Sequence, residues 1–135
     1  AASNNDLNLF EEMDTAAKLH KLYTNDPTAV SARDALTMAT IGGARAIDME
    51  REIGSLEKGK RADIILVDLG RASMQPIYNL YSHLVYTAKA SDVRTSIING
   101  RVVMQNRRVL TLDEAEIGLK LKSLGRQISE SLQKK

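Results

Sequence analysis

The sequence predicts an α+β fold in which helices come first, strands follow and one helix closes the chain. Three observations carry that prediction. Apolar residues recur at helical spacing near the start, β-branched runs flank an Asn-Gly pair in the second half, and a capped apolar stripe returns at the end. With 135 residues the chain is the size of one domain and long enough to bury a core. At 43% apolar and 27% charged residues it reads as an ordered globular protein. Aromatics make up 4% with no tryptophan, so that core must be aliphatic.

The first element reads from about residue 7 to 23. Ser3, Asn4, Asn5, Asp6 and Asn8 are all good N-cap residues, and Asn8 has Glu11 three positions on. Phe10, Met13, Ala16, Ala17 and His20 then follow at helical spacing, until Asp26-Pro27 breaks the pattern. A second helix starts at Ser31-x-x-Asp34 and places Ala35, Leu36 and Ala39 on one face. Gly42-Gly43 predicts an interruption, with a last short turn in "ARAIDM" before Gly54.

The period then changes. "ADIILVDL" (residues 62–69) reads as a buried strand after the charged turn "LEKGKR". "HLVYTA" (residues 83–88) reads as a second strand opened by His83. "VRTSIINGRVVMQNRRVL" predicts two β runs joined at Asn99-Gly100, a pair suited to the positive φ angles of a type I′ hairpin. Thr111-x-x-Glu114 predicts a capping box for the final helix, whose Ile117, Leu121, Leu124, Ile128 and Leu132 form a stripe.

Several function classes are disfavoured by the same residues. A net charge of +2 is too small to imply nucleic acid or an anionic membrane as partner. No apolar run approaches the 18 or so residues of a spanning helix. "SARDALTMATIGGARAI" has the size of a helix-turn-helix, but Asp48, Glu50 and Glu52 intersperse its few cations, which suits phosphate contacts badly. The absence of cysteine rules out disulfides and thiolate metal sites and fits a cytoplasmic location. His20 and His83, the two histidines, lie far apart without an HxH or HExxH neighbour, so both read as structural and no metal ligand is assigned within the chain. Glu11-Glu12 and Asp113-Glu114 sit at helix starts, where the macrodipole favours negative charge over any acid–base role. No GxGxxG or GKS/GKT phosphate loop occurs. By residue chemistry alone the chain has no catalytic residue.

Taken in order, "AASNNDLNLFEEM", "ALTMATIGGARAI", "IGSLEKGKRADIILVDL", "SHLVY" and "VRTSIINGRVVMQNRRVL" resemble the C-terminal third of a metal-dependent amidohydrolase. The resemblance covers nearly the whole chain. It is to the branch of 5′-methylthioadenosine/S-adenosylhomocysteine deaminases, with the related triazine chlorohydrolases and cytosine or guanine deaminases beside it. It implies that residues 1–52 are the last helices of a (β/α)8 barrel, 53–112 part of a small β-sandwich, and 113–135 a C-terminal helix that packs back on the outside. It also implies a divalent metal, zinc or iron, in the intact parent, where it lowers the pKa of a bound water for attack on C6 of an adenine ring. In such enzymes a metal-ligand aspartate ends the strand before the AASNN-like segment, and the histidine ligands come from earlier strands. The chain is thus expected to be a C-terminal fragment, cut behind that aspartate and inactive alone, with Ser3, Asn4 and Asn5 near the site. Its expected partners are the missing N-terminal barrel and a second copy of itself. A self-standing, non-catalytic, self-associating module is the alternative.

Overall fold

The computed structural model describes residues 6–133. They form a mixed helix-and-sheet structure: α1 (Leu9–Thr24), α2 (Ala32–Thr37) running through a π-helical stretch (Met38–Gly42) into α3 (Gly43–Ala46), then β1 (Ile64–Val67). A short α4 (Leu80–Ser82) continues as a π turn (His83–Thr87) and leads to β2 (Val93–Ile98), β3 (Arg101–Gln105), β4 (Arg108–Val109) and α5 (Glu114–Gln133). Among the described residues no helix is long and apolar enough to cross a membrane.

α1 begins at Asn8, whose carbonyl accepts from the Glu11 and Glu12 amides at 3.0 and 3.1 Å. The expected side-chain cap is absent, because the Asn8 side chain bonds none of the first-turn amides. The helix ends at Asn25, which takes the left-handed conformation (φ 51°) that asparagine tolerates, and Asp26 returns its amide to the Lys21 carbonyl. Asp26 then turns the chain by accepting from the Thr28 amide and hydroxyl. α2 starts on the predicted capping box: the Ser31 hydroxyl accepts from the Asp34 amide, and the Asp34 carboxylate accepts from the Ser31 amide.

Met13 and Ala17 of α1, Ala35 of α2 and Val85 of the π turn are buried together, with Phe10, Val30, Leu36 and Tyr86 packed around them. Lys21 pins this cluster. Its ammonium donates to the carbonyls of Ala17 (3.2 Å), Ala29 (2.8 Å) and Val30 (2.6 Å), and lies 3.4 Å from the Tyr86 hydroxyl.

One expectation fails here and another is displaced, each for an identifiable reason. "HLVYTA" is helical, not a strand. Asn79 caps the turn by accepting from the Ser82 amide, and the helical phase puts Val85 inward. The helix is interrupted near Gly42-Gly43 as expected, but not at the glycines themselves. In the π stretch a side-chain carbon at Gly42 would stand 2.8 Å from the Thr37 carbonyl oxygen, and one at Gly43 would stand 2.9 Å from that of Met38. The irregularity falls instead at Thr40, with φ −124° and ψ −107°.

The four strands form one antiparallel sheet in sequence order. Ile64 faces Ile97 across β1 and β2, and Ile98 faces Arg101 across the hairpin turn. Asn99 and Gly100 have φ 48° and 75°, as the type I′ expectation requires. The second β run folds once more than expected: Asn106-Arg107, both at positive φ, turn β3 into β4. β1 is shorter and less buried than predicted, with Ile65 and Leu66 each about half exposed. The final helix is capped by Asp113 rather than Thr111, since the Asp113 carboxylate accepts from the Ala115 and Glu116 amides.

Gly54 joins the helices to the sheet region. It sits at φ 90°, and a Cβ there would lie 2.7 Å from Ala44 Cβ and 2.9 Å from Ile41 Cα. Asp92, almost fully buried, ties the approach to β2: it accepts from the Lys89 amide at 2.9 Å and pairs with Arg71. Arg107 reaches back to the Asp68 carboxylate (3.1 Å) and the Ser91 carbonyl (2.9 Å).

Gly54→Ala combines left-handed strain with a backbone clash, so it is expected to cost at least about 2 kcal/mol in chemical denaturation. The Lys89 amide, then Arg71, hold the Asp92 carboxyl below its ordinary value; the Gly70 amide and Arg107 do the same for Asp68, and Ser31 for Asp34. Lowered folded values mean stability that is complete above the ordinary carboxylate range and lost as the pH falls through the folded values. Stability should therefore be level from neutrality to about pH 5 and decline below about pH 4. Asp92→Asn should cost about 1–3 kcal/mol at pH 7 and less at pH 3, which denaturant titrations at the two pH values will check.

Candidate functional site

The N-terminal end of α1 is where the sequence places the chemistry. Ser3, Asn4 and Asn5 lie outside the described residues. Asn8, the first described residue of the cap, directs its side-chain oxygen into the protein, where it is buried without a hydrogen-bond partner. One carboxylate oxygen of Asp14 is likewise buried and unpartnered, while the other accepts from Lys18 at 2.7 Å. Among the described residues, these two oxygens on the first turns of α1 have no donor, whereas Lys21 near the other end is bonded to three backbone carbonyls. This signal was not readable from the sequence, because Asn8 there is only one good cap residue among several.

Both imidazoles are engaged by their own helices. His20 Nδ1 lies 2.8 Å from the Ala16 carbonyl oxygen and His83 Nδ1 lies 3.1 Å from that of Asn79, each four residues earlier. Among the described residues, no three His, Cys, Asp or Glu side chains converge as a metal ligand set. A divalent metal does not fit the donors that these residues present.

The carboxylates with shifted acidity all move in one direction. Asp26 is lowered by the Thr28 hydroxyl and amide, Glu57 by Ser55 and Lys60, and Asp34, Asp68 and Asp92 by the partners named above. A general acid working near neutral pH needs a raised carboxyl, so none of these five is poised for that role. Their partners instead close turns and tie strand ends, as Arg61 with Glu52 does beside Gly54.

Two grooves border the helices. One, of about 210 Å³, lies between α1 and α2 and is lined by Leu9, Met13, Ala35 and Met38. The other, of about 510 Å³, runs between α3 and β1 past Ile47, Leu56, Arg61, Asp63 and Ile65. Both are shallow and largely apolar, and neither gathers an acid, a base and a nucleophile.

Comparison with known proteins agrees with the resemblance read from the sequence. Residues 1–103 match the model of the amidohydrolase family. A 5-methylthioadenosine/S-adenosylhomocysteine deaminase of Syntrophobacter fumaroxidans is 52% identical over 127 residues, covering 94% of this chain and 29% of that protein. Among solved structures, an adenosine deaminase from Xanthomonas campestris with bound zinc superposes with a TM-score of 0.89 at 39% identity, covering 96% of this chain and 29% of that one. An atrazine chlorohydrolase from Arthrobacter aurescens, complexed with zinc, superposes with a TM-score of 0.74 at 27% identity over 85% of this chain and 26% of its own. The chain thus spans less than a third of the length of the relatives it matches. With three quarters of its residues inside the family model, this chain belongs to the amidohydrolase family.

Proposed function

We propose that this chain is the C-terminal portion of a metal-dependent hydrolase that deaminates an adenosine derivative of the 5′-methylthioadenosine or S-adenosylhomocysteine type. The observation that carries the reading is the likeness to such a deaminase at 52% identity over 94% of the chain. The residue chemistry supports the second half of the proposal, that the chain does not catalyse alone. Its described residues present neither a ligand set nor a carboxyl poised as a general acid. The parent's divalent metal is accordingly assigned to other segments, including an aspartate preceding the AASNN segment.

In this reading residues 1–52 close the barrel, 53–112 form part of a β-sandwich and 113–135 the outer helix, in a cytoplasmic protein. By the resemblance, Ser3, Asn4 and Asn5 would lie near the site. The unpartnered Asn8 oxygen then offers an acceptor to a donor from the missing barrel, which would fix the entry angle of α1 behind the site. The likeness to a chlorohydrolase favours one second reading, a parent that displaces chloride from a triazine with the same architecture.

The full-length protein, loaded with zinc or iron, should release ammonia from 5′-methylthioadenosine or S-adenosylhomocysteine, and the 135-residue chain should release none. Changing the aspartate expected ahead of Ala1 to asparagine should abolish the release. Chloride release from a chlorotriazine, without ammonia from either nucleoside, would replace the substrate and keep the reaction class. His83→Gln in the full-length protein should leave kcat within a few-fold, because His83 bonds its own helix; a loss of orders of magnitude with the fold intact would show a direct catalytic role.

A further inference from the structure

We propose that Asn99-Gly100 is a modification site, where the asparagine side chain loses ammonia to the neighbouring backbone nitrogen, and that Ala62 and Asp63 hold this reaction in check. The inference does not depend on the deaminase reading. Asn99 is the one asparagine in the sequence that glycine follows. It is exposed at the tip of the hairpin, and a Cβ on Gly100 would meet nothing within 4 Å. Water and base therefore reach the pair, and no side chain on the following residue shields its nitrogen.

The chemistry needs only water. The Gly100 backbone nitrogen gives up its proton and attacks the side-chain carbonyl carbon of Asn99. A carbon–nitrogen bond forms there, the bond to the side-chain nitrogen breaks, and that nitrogen takes up the proton and leaves as ammonia. Water then opens the five-membered imide at either carbonyl, leaving aspartate or isoaspartate in place of Asn99. Either product adds a negative charge, and isoaspartate also lengthens the backbone of the turn by a carbon.

The folded hairpin opposes each step. Gly100 donates its amide proton to the Ala62 carbonyl at 3.0 Å, so the nucleophile must first leave that bond. The Asn99 amide donates to Asp63 Oδ1 at 2.6 Å. That carboxylate stands beside the nitrogen that must become anionic, and like charges disfavour the anion. Asn99 and Gly100 sit at φ 48° and 75°, and ring closure requires rotation out of this type I′ turn. Opening the two hydrogen bonds alone slows attack by about tenfold to a hundredfold. Asn106-Arg107 supplies the contrast within the same sheet. It too turns at positive φ, but an arginine side chain follows the asparagine and Arg94 holds the Asn106 side-chain oxygen.

Asp63 lies 36 residues ahead of Asn99, immediately before β1. The reaction is thereby coupled to the docking of β1 on β2. Whatever frees the 62–63 segment starts it, and the new carboxylate on the residue that Asp63 holds then opposes re-docking.

The test is incubation of the 135-residue chain in mildly alkaline buffer. Peptide mapping by mass spectrometry locates the amide-to-acid conversion, and an isoaspartate assay identifies the product. The folded chain should convert at position 99 at least about tenfold more slowly than the same chain in denaturant or the peptide SIINGRVV. Asp63→Ala should raise the rate several-fold in the folded protein, with circular dichroism reporting the fold. Asp63→Asn, which keeps an acceptor for the Asn99 amide and removes the charge, should raise it less. Asn106 should stay unconverted throughout. Equal rates in the folded and denatured chain would overturn the proposal, as would rates unchanged in both folded Asp63 variants or conversion at Asn106 ahead of Asn99. Should neither variant fold, the comparison of folded with denatured chain decides alone.

Discussion

The ammonium of Lys21 is the interaction on which the helical half depends. A lysine drawn into a partly buried position must give its three protons acceptors, and here backbone carbonyls supply them from Ala17 on its own helix and from Ala29 and Val30 beyond the turn. The geometry explains an otherwise unfavourable feature. Val30 is β-branched yet sits at φ 45°, a conformation that costs on the order of 1–3 kcal/mol and persists only when its surroundings impose it. Turning the Val30 carbonyl towards Lys21 is that imposition. The same carbonyls fix where Ser31 begins α2, and the Tyr86 hydroxyl brings the π turn to the same point.

From this pin the helices pack through small residues. Ala17 and Ala35 are almost completely buried, and Ala44 approaches Gly54 too closely for any side chain. The sheet region attaches there and through backbone bonds: Arg61 donates its amide to the Glu52 carbonyl, Gly100 donates its amide to Ala62, and Asp63 accepts from the Asn99 amide. The contrast between halves is instructive. Polar pairs tie the strand ends, yet Ile65, Leu66, Ile98 and Val102 remain substantially exposed, and so does the whole α5 stripe. Surface of this kind is what a chain spanning under a third of its relatives' length presents where they continue.

Function follows the same division. The described residues that carry the family likeness, from the helix behind Asn8 through the Gly54 turn to the hairpin, shape backbone rather than gather acids and bases. A barrel hydrolase site gathers its ligands from the ends of several strands, and among the described residues no such ligand set converges. The carboxylates here are drawn down in acidity by amides and guanidinium groups, which suits anchoring and opposes acid catalysis.

The sequence by itself determined the features whose cause is local. Asn99-Gly100 turns because both residue types accept the positive φ the turn needs; Ser31 and Asp34 cap because each side chain accepts from the other's amide three residues away. The helical stretch behind Asn8 and the family were legible for the same reason, as patterns carried by consecutive residues. Tertiary structure decided the rest. "HLVYTA" has the composition of a strand but becomes helix because Val85 fills the space beside Met13, Ala17 and Ala35. Gly42-Gly43 reads as a break, and the kink falls at Thr40 instead, while carbonyls five residues back crowd the positions where side chains at the glycines would be. Asn106-Arg107 turns without glycine, held by Arg94 on the Asn106 side chain and by Arg107 on Ser91 and Asp68, contacts that span 12 to 39 residues. The unpartnered oxygens of Asn8 and Asp14 were invisible for a related reason: a missing donor is a property of the space around a side chain, and no spacing along the chain records it.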